Sequence, residues 1–182
     1  MLAALALVLA LAPASWAAGE PAGARQAIAV EEVPVSEGGS VRARLFVAAP
    51  PEVARAVLWA HERYPEFMPH SRTVRVLERR GNVHLVEMAG GQGPVNVSYR
   101  MERRLEPRRI TWKTLSGDVK RNEGHWAFEA AEGGTWLTYQ VHVVPNAPVP
   151  GKVVAFLQQQ ALPGMLAAVR KRIEQEAARM SR

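Results

Sequence analysis

The sequence predicts an α+β domain in which a curved antiparallel sheet wraps a long C-terminal helix. Three observations predict it. Six segments between Thr73 and Val144 alternate apolar and polar residues across short turns, and a further alternating region, residues 28 to 48, folds back on itself at "SEGG". The tail instead places Leu162, Met165, Leu166, Val169 and Ile173 at helical spacing. Period two marks a strand with one buried face, and a spacing of three and four marks one face of a helix. Connections this short exclude parallel neighbours, which need crossovers of a dozen or more residues. A sheet of seven or eight strands is large enough to curl, and its concave face is the only surface that can bury the helical stripe.

The chain opens with "MLAALALVLALAPASWAA", whose apolar run from Leu2 to Ala12 is too short for the roughly 20 residues of a spanning helix. Small residues Ser15 and Ala17 follow Pro13, so residues 1–17 read as a signal peptide cut after Ala17. No Lys or Arg precedes the run, a departure from the usual pattern. The expected location is exported, periplasmic or secreted.

"IAVEEVPV" and "SVRARLFVAA" form the first hairpin. In "APPEVARAVLWAHER", Val53, Ala56, Val57 and Ala60 share one helical face, with Pro51 in the first turn. Tyr64 stands before Pro65 and is biased to extended geometry, which predicts a helix end near Arg63 and one more short turn at 65–68. The strands are then "TVRVLE", "NVHLVEM", "PVNVSYRMERRL", "RITWKTL", "HWAFEA" and "TWLTYQVHVV", with turns at "RRG", "GGQG", "EPR", "SGDVKRNEG" and "AEGG". The tail reads as two helical pieces, "PGKVVAFLQQQA" and "LPGMLAAVRKRIEQEA", with Pro163 and Gly164 marking a kink or a cap between them.

The absence of cysteine excludes disulfides, thiolate nucleophiles and zinc–thiolate sites. A net charge of +6 favours anionic partners, and an exported protein meets lipid headgroups rather than nucleic acid. The densest basic stretch is "RMERRLEPRR". It reads as a solvated strand end and turn, or as a membrane-surface patch of Arg103, Arg104, Arg108 and Arg109.

Alternation puts Val95, Val97, Tyr99 and Met101 on one face of their strand. It does the same for Ile110 with Trp112, for Trp126 with Phe128, and for Leu137, Tyr139, Val141 and Val143. These side chains either pack the terminal helix or line a pocket, where Tyr99, Trp112, Trp126 and Tyr139 combine apolar bodies with polar handles. Tyr64, Phe67 and Met68 sit at the broken helix, as a plug or an adaptable gate. Phe156 and Met165 add apolar contacts from the tail. The candidate ligand-binding set is therefore Tyr64, Phe67, Met68, Val97, Tyr99, Trp112, Trp126, Phe128, Tyr139, Phe156 and Met165.

None of the five histidines forms a pair at metal-ligand spacing, so neither metal nor cofactor is expected. His125 and His142 fall on polar phases, where solvent exposure is the default. His84 and Glu87 fall on opposite phases, so at most one faces inward. There is no nucleophile elbow and no phosphate-binding glycine loop, and no residue set argues for a catalytic site.

The order of hairpin, "APPEVARAVL", "YPEFMPHSRTVRVLERRGN", the long run "ITWKTLSGDVKRNEGHWAFEAAEGGTWLTYQVHVVP" and the helix at "LPGMLAAVRKRIE" resembles the START-like helix-grip superfamily. Within it, the chain is similar to the polyketide cyclase/dehydrase and coenzyme Q-binding families, over about Ile28 to Ala177. The resemblance implies one domain, residues 28–180, with a seven-stranded sheet gripping the helix and two short helices framing a cavity mouth at Tyr64, Phe67 and Met68. It implies an apolar cavity between helix and sheet, and the leading reading is a hydrophobic small-molecule partner such as a quinone, lipid or isoprenoid, held there without catalysis. An aromatase/cyclase-type enzyme using the same cavity is the alternative, and would require an inward titratable residue. A ribosome-associated interaction role would follow only from a cytoplasmic location.

Overall fold

The computed structural model describes residues 23–92 and 95–182, so the proposed signal peptide lies outside the described residues, as do Gly93 of the "GGQG" turn and the side chain of Val95. Strands β1 (Ile28–Glu32) and β2 (Gly39–Val47) form the predicted hairpin, pairing all five residues of β1. Val41, Ala43, Leu45 and Val47 of β2 are buried, while Arg42 and Arg44 face the other way. Alternation therefore sets which face meets the core.

Helix α1 (Pro51–Trp59) starts at Pro51, where a missing N–H costs nothing, and buries Val53, Ala54 and Leu58. It stops four residues before the predicted end. His61–Glu66 instead forms a 3₁₀ helix, η1, with Pro65 inside it. Three residues per turn bring His61 and Tyr64 onto the same inward side, and both are buried. The break in the helix is thus at Ala60 rather than at Tyr64.

Strands β3 (Ser71–Arg80), β4 (Val83–Gln92), β5 (Val95–Glu106), β6 (Arg109–Gly117), β7 (Val119–Ala131) and β8 (Gly134–Pro145) follow as a meander. All eight strands form one antiparallel sheet in the order β1-β2-β8-β7-β6-β5-β4-β3. Eight strands replace the seven implied by resemblance, because β1 pairs fully along β2 and packs Ile28 and Val30 against the core. The turn expected at "SGDVKRNEG" contracts to Asp118. Gly117 adopts φ 126°, Asp118 accepts from the Ser98 N–H at 2.8 Å, and residues 119–124 pair with β8 despite their polar composition.

The tail is one helix, α2 (Gly151–Met180), not two. Pro163 lies inside it with an exposed ring, while Leu162 and Leu166 on either side are buried and hold both halves on the sheet. Val154, Ala155, Leu162, Leu166, Val169 and Ile173 make its buried stripe, against β1, β2, β8 and α1. With η1 packed on β3 at the opposite side, a hollow remains between them over β4 to β8.

Candidate functional site

The hollow has a volume of about 110 Å³ and is lined by Tyr64 and Met68 from the η1 region, Met165 from α2, and Met88, Tyr99, Met101, Arg103, Trp112, Asn122, Trp126 and Tyr139 from the sheet. Four of the six methionines in the chain meet here. Their unbranched, polarizable side chains give an apolar wall that can change shape.

The floor follows from strand register. Trp112 pairs with Arg103 on one side and with Gly124 on the other. A Cβ at Gly124 would lie 2.8 Å from the Trp112 ring and 2.0 Å from the Gln140 carbonyl oxygen, so the missing side chain gives the indole its seat. Trp112 then stacks on Tyr139 at 5.6 Å between ring centroids, and Tyr139 meets Trp126 at 4.5 Å. The Trp112 Nε1–H donates to Asn122 Oδ1 at 3.1 Å, and Asn122 Nδ2 donates to the Tyr99 hydroxyl at 3.3 Å. Burial raises the pKa of both Tyr99 and Tyr139, so both phenols stay protonated.

Arg103 is the polar centre. It is 2% exposed, and among the described residues no carboxylate lies within ion-pair distance of it. One terminal nitrogen, Nη2, donates to the Tyr64 hydroxyl at 2.9 Å and to the Leu58 carbonyl at 3.3 Å, while the Tyr64 hydroxyl donates to the same carbonyl at 2.7 Å. Its Nε is buried and has no hydrogen-bond partner. The guanidinium carbon lies 5.1 Å from the Tyr64 ring centroid and 6.0 Å from that of Trp112. A buried cation with a spare N–H requires an acceptor more than an apolar neighbour does.

A second polar cluster abuts this one. His84 pairs across the strands with Arg103, and its Nδ1 lies 3.2 Å from His61 Nε2. Trp59 packs on both imidazoles, with centroids 5.2 Å from His61 and 4.4 Å from His84. Burial, then the Arg103 charge, then His84, push the His61 pKa down to about 2; burial also lowers that of His84. Both are neutral at physiological pH. His84 therefore faces the interior, while Glu87 faces out and binds Arg100 at 3.1 Å. Among the described residues no three His, Asp or Glu side chains group to hold a metal.

Of the sequence-predicted set, Tyr64, Met68, Tyr99, Trp112, Trp126, Tyr139 and Met165 come together at the cavity. Four residues do not. Phe67 turns outward into a larger groove of about 340 Å³ between α1 and the C-terminal part of α2, under the Arg172 guanidinium at 5.5 Å. Phe128 is buried beside α1 and borders a surface hollow with Pro51 and Arg55, one end of the sheet away from the cavity. Val97 is half-buried and touches neither cavity nor core cluster. Phe156 is 57% exposed on the first turns of α2.

The membrane-surface set needs one correction. Arg103 is interior, because it shares its strand phase with Tyr99 and Met101. Arg104 is exposed and ion-paired to Glu102 at 3.4 Å, and Arg108 and Arg109 are exposed at the β5–β6 turn. His125 and His142 lie on the outer sheet face but are half-buried, and His142 Nε2 is 2.7 Å from the Glu37 carbonyl oxygen. Sequence reasoning missed Arg103, Met88 and Asn122 as lining residues. The alternation of Tyr99, Met101 and Arg103 carried the signal for the first, and that of Val86 with Met88 for the second.

A search of curated protein sequences returns no match. Solved structures share the fold at low identity. A STAR-related lipid transfer protein from Xanthomonas axonopodis superposes with a TM-score of 0.70 at 16% identity, covering 86% of this chain and 96% of that one. A START superfamily protein from Mycobacterium smegmatis gives 0.67 at 21% identity over 75% and 97%. The Zhui aromatase/cyclase from Streptomyces sp. R1128 gives 0.64 at 18% identity over 85% and 97%. The fold is the START-like helix-grip. Residues 47–170 match the model of the family described as polyketide cyclase / dehydrase and lipid transport, and the chain belongs to that family.

Proposed function

We propose that the protein binds, without transforming, a hydrophobic small molecule that carries a hydrogen-bond acceptor, such as a quinone, an isoprenoid or a lipid, and that it does so as an exported protein beside an anionic leaflet. The observation that carries this reading is Arg103, whose buried Nε–H lacks a partner and which lines a cavity walled by four methionines and five aromatic rings. An acceptor on the ligand satisfies that donor, and burial of the remaining apolar surface supplies the driving force at about 25 cal/mol per Å². Ligand pockets usually hold roughly 300–1,000 Å³, so a ligand larger than a single ring is accommodated by movement of Met68, Met88, Met101 and Met165.

One observation favours a second reading. The same guanidinium stands beside the Tyr64 hydroxyl, an arrangement suited to stabilising an enolate oxygen during ring closure, as an aromatase/cyclase-type enzyme requires.

Native mass spectrometry with organic extraction of the protein purified from its own compartment tests the first reading. A co-purifying quinone or lipid, lost in Arg103→Met while the variant stays folded, supports it. A protein that emerges empty and ignores a panel of quinones and lipids refutes it and favours turnover of a transient substrate.

A further inference from the structure

The two halves of α2 have different surfaces. From Arg170 onward the helix carries Arg170, Lys171, Arg172, Glu174, Glu176 and Arg179, the mixed charges of a helix that faces water. From Val153 to Val169 it carries no charged residue at all. Its outward side there shows Val153 at 45%, Phe156 at 57% and Leu157 at 59% exposure, with Val149 at 37% just before the helix. Scattered exposed apolar residues are ordinary, but a contiguous set on one helix face marks a surface that meets something apolar.

Charge selects the occupant. No Asp or Glu occurs between Gly133 and Ile173, and the cation flanking the apolar stripe is Lys152. The acidic residue brought nearest by the close approach of Gly38 to Gly151 is Glu37, which Lys120 neutralises at 2.5 Å. The α2 N-terminus adds the partial positive charge of its unpaired amides. An apolar stripe edged by positive charge and free of carboxylates is complementary to an anionic bilayer interface. No helix among the described residues is long and apolar enough to cross a membrane, so the contact is with its surface.

We infer that the first half of α2 is the face by which this protein docks on an anionic lipid bilayer, with Phe156 and Leu157 entering the acyl boundary and Lys152 at the headgroups. The inference deepens the binding reading above: the same helix lends Met165 to the cavity, so docking sets the roof of the cavity against the phase from which a hydrophobic ligand comes. It also moves the membrane contact away from Arg104, Arg108 and Arg109.

Flotation of the full-length chain with phosphatidylethanolamine–phosphatidylglycerol vesicles, compared with phosphatidylcholine vesicles, tests it. The wild type is expected to float with the anionic vesicles only, and the exposed double substitution F156D/L157D to lower the bound fraction about tenfold with an unchanged circular dichroism spectrum. Arg108→Glu and the cavity variant Trp112→Leu are expected to float like wild type, which separates failure of docking from failure of ligand binding. Equal flotation of F156D/L157D, loss of flotation in Arg108→Glu instead, or no flotation of the wild type overturns the inference. So does a dimer, seen by analytical ultracentrifugation, that F156D/L157D converts to monomer, since the face then belongs to a second copy.

Discussion

His61 Nε2 and His84 Nδ1 face each other at 3.2 Å, an imidazole pair assembled from η1 and β4 and packed against Trp59, with His61 fully buried and His84 half-buried. Burial holds His61 neutral in the folded protein, with a pKa pushed down to about 2 from an unfolded value near 6.5. The unfolded state therefore takes up the proton first. Stability contributed by this site is complete above about pH 6.5 and falls by about 1.4 kcal/mol per pH unit as the pH drops below it. Urea titrations of wild type and His61→Leu between pH 7.5 and about pH 4.5 should show a difference that shifts toward the variant on acidification. A difference independent of pH would mean that His61 is hydrated and titrates normally.

Arg103 separates stability from binding. Its buried charge has no carboxylate partner, and Tyr64 keeps its bond to the Leu58 carbonyl without it. Arg103→Met should leave stability within about 1 kcal/mol of wild type or raise it, because an apolar side chain of similar length removes a desolvated charge. Affinity for any ligand that uses the Nε–H should fall at least about tenfold, as expected when a charged hydrogen bond is lost. Thermal denaturation and ligand titration on the same preparation give both readings, and a large loss of stability would assign Arg103 a structural role.

Gly124 tests the seating of Trp112. A side chain there meets the Gln140 carbonyl oxygen at 2.0 Å, a backbone atom fixed by the β7–β8 ladder. Gly124→Val should cost about 1–3 kcal/mol by overpacking and should alter the near-ultraviolet circular dichroism from the Trp112–Tyr139 stack. A silent substitution would show that the strands part locally at little cost.

Leu166 fastens α2 to the sheet and is fully buried. Leu166→Ala should cost about 2–5 kcal/mol, read as a lower urea midpoint with unchanged slope. A smaller loss would indicate that the neighbouring side chains collapse into the vacated space.

Much of this architecture was legible in the residues, because half-buried strands and a one-sided helix write their burial into the spacing of apolar residues. All six meander strands, the hairpin and the terminal helix follow from that. Residues 119–124 did not read as strand, since "VKRNEG" carries no apolar face and forms β structure only because β8 pairs with it. The end of α1 is not legible in the residues because the inward turn of His61 and Tyr64 depends on partners from β4 and β5. The charge of Arg103 points to solvent, although its strand phase, shared with Tyr99 and Met101, points to the interior. The acceptors that let it be buried, the Leu58 carbonyl and the Tyr64 hydroxyl, lie some 40 residues earlier in the chain.

Pro163 lends α2 a seam. Having no N–H, it leaves the Gln159 carbonyl without its helical partner, seven residues before the first charge of the C-terminal part at Arg170. The helix should accordingly behave as two cooperative units, with the segment held by Val154, Ala155 and Leu162 opening before the one locked by Leu166, Val169 and Ile173, while the sheet stays intact. Hydrogen exchange read by mass spectrometry should show amides of residues 152–161 exchanging well ahead of those of 166–176, and Pro163→Ala should narrow the gap. Local opening of residues 152–161 would then uncover the sheet beneath Val154 and Ala155, with no need for global unfolding.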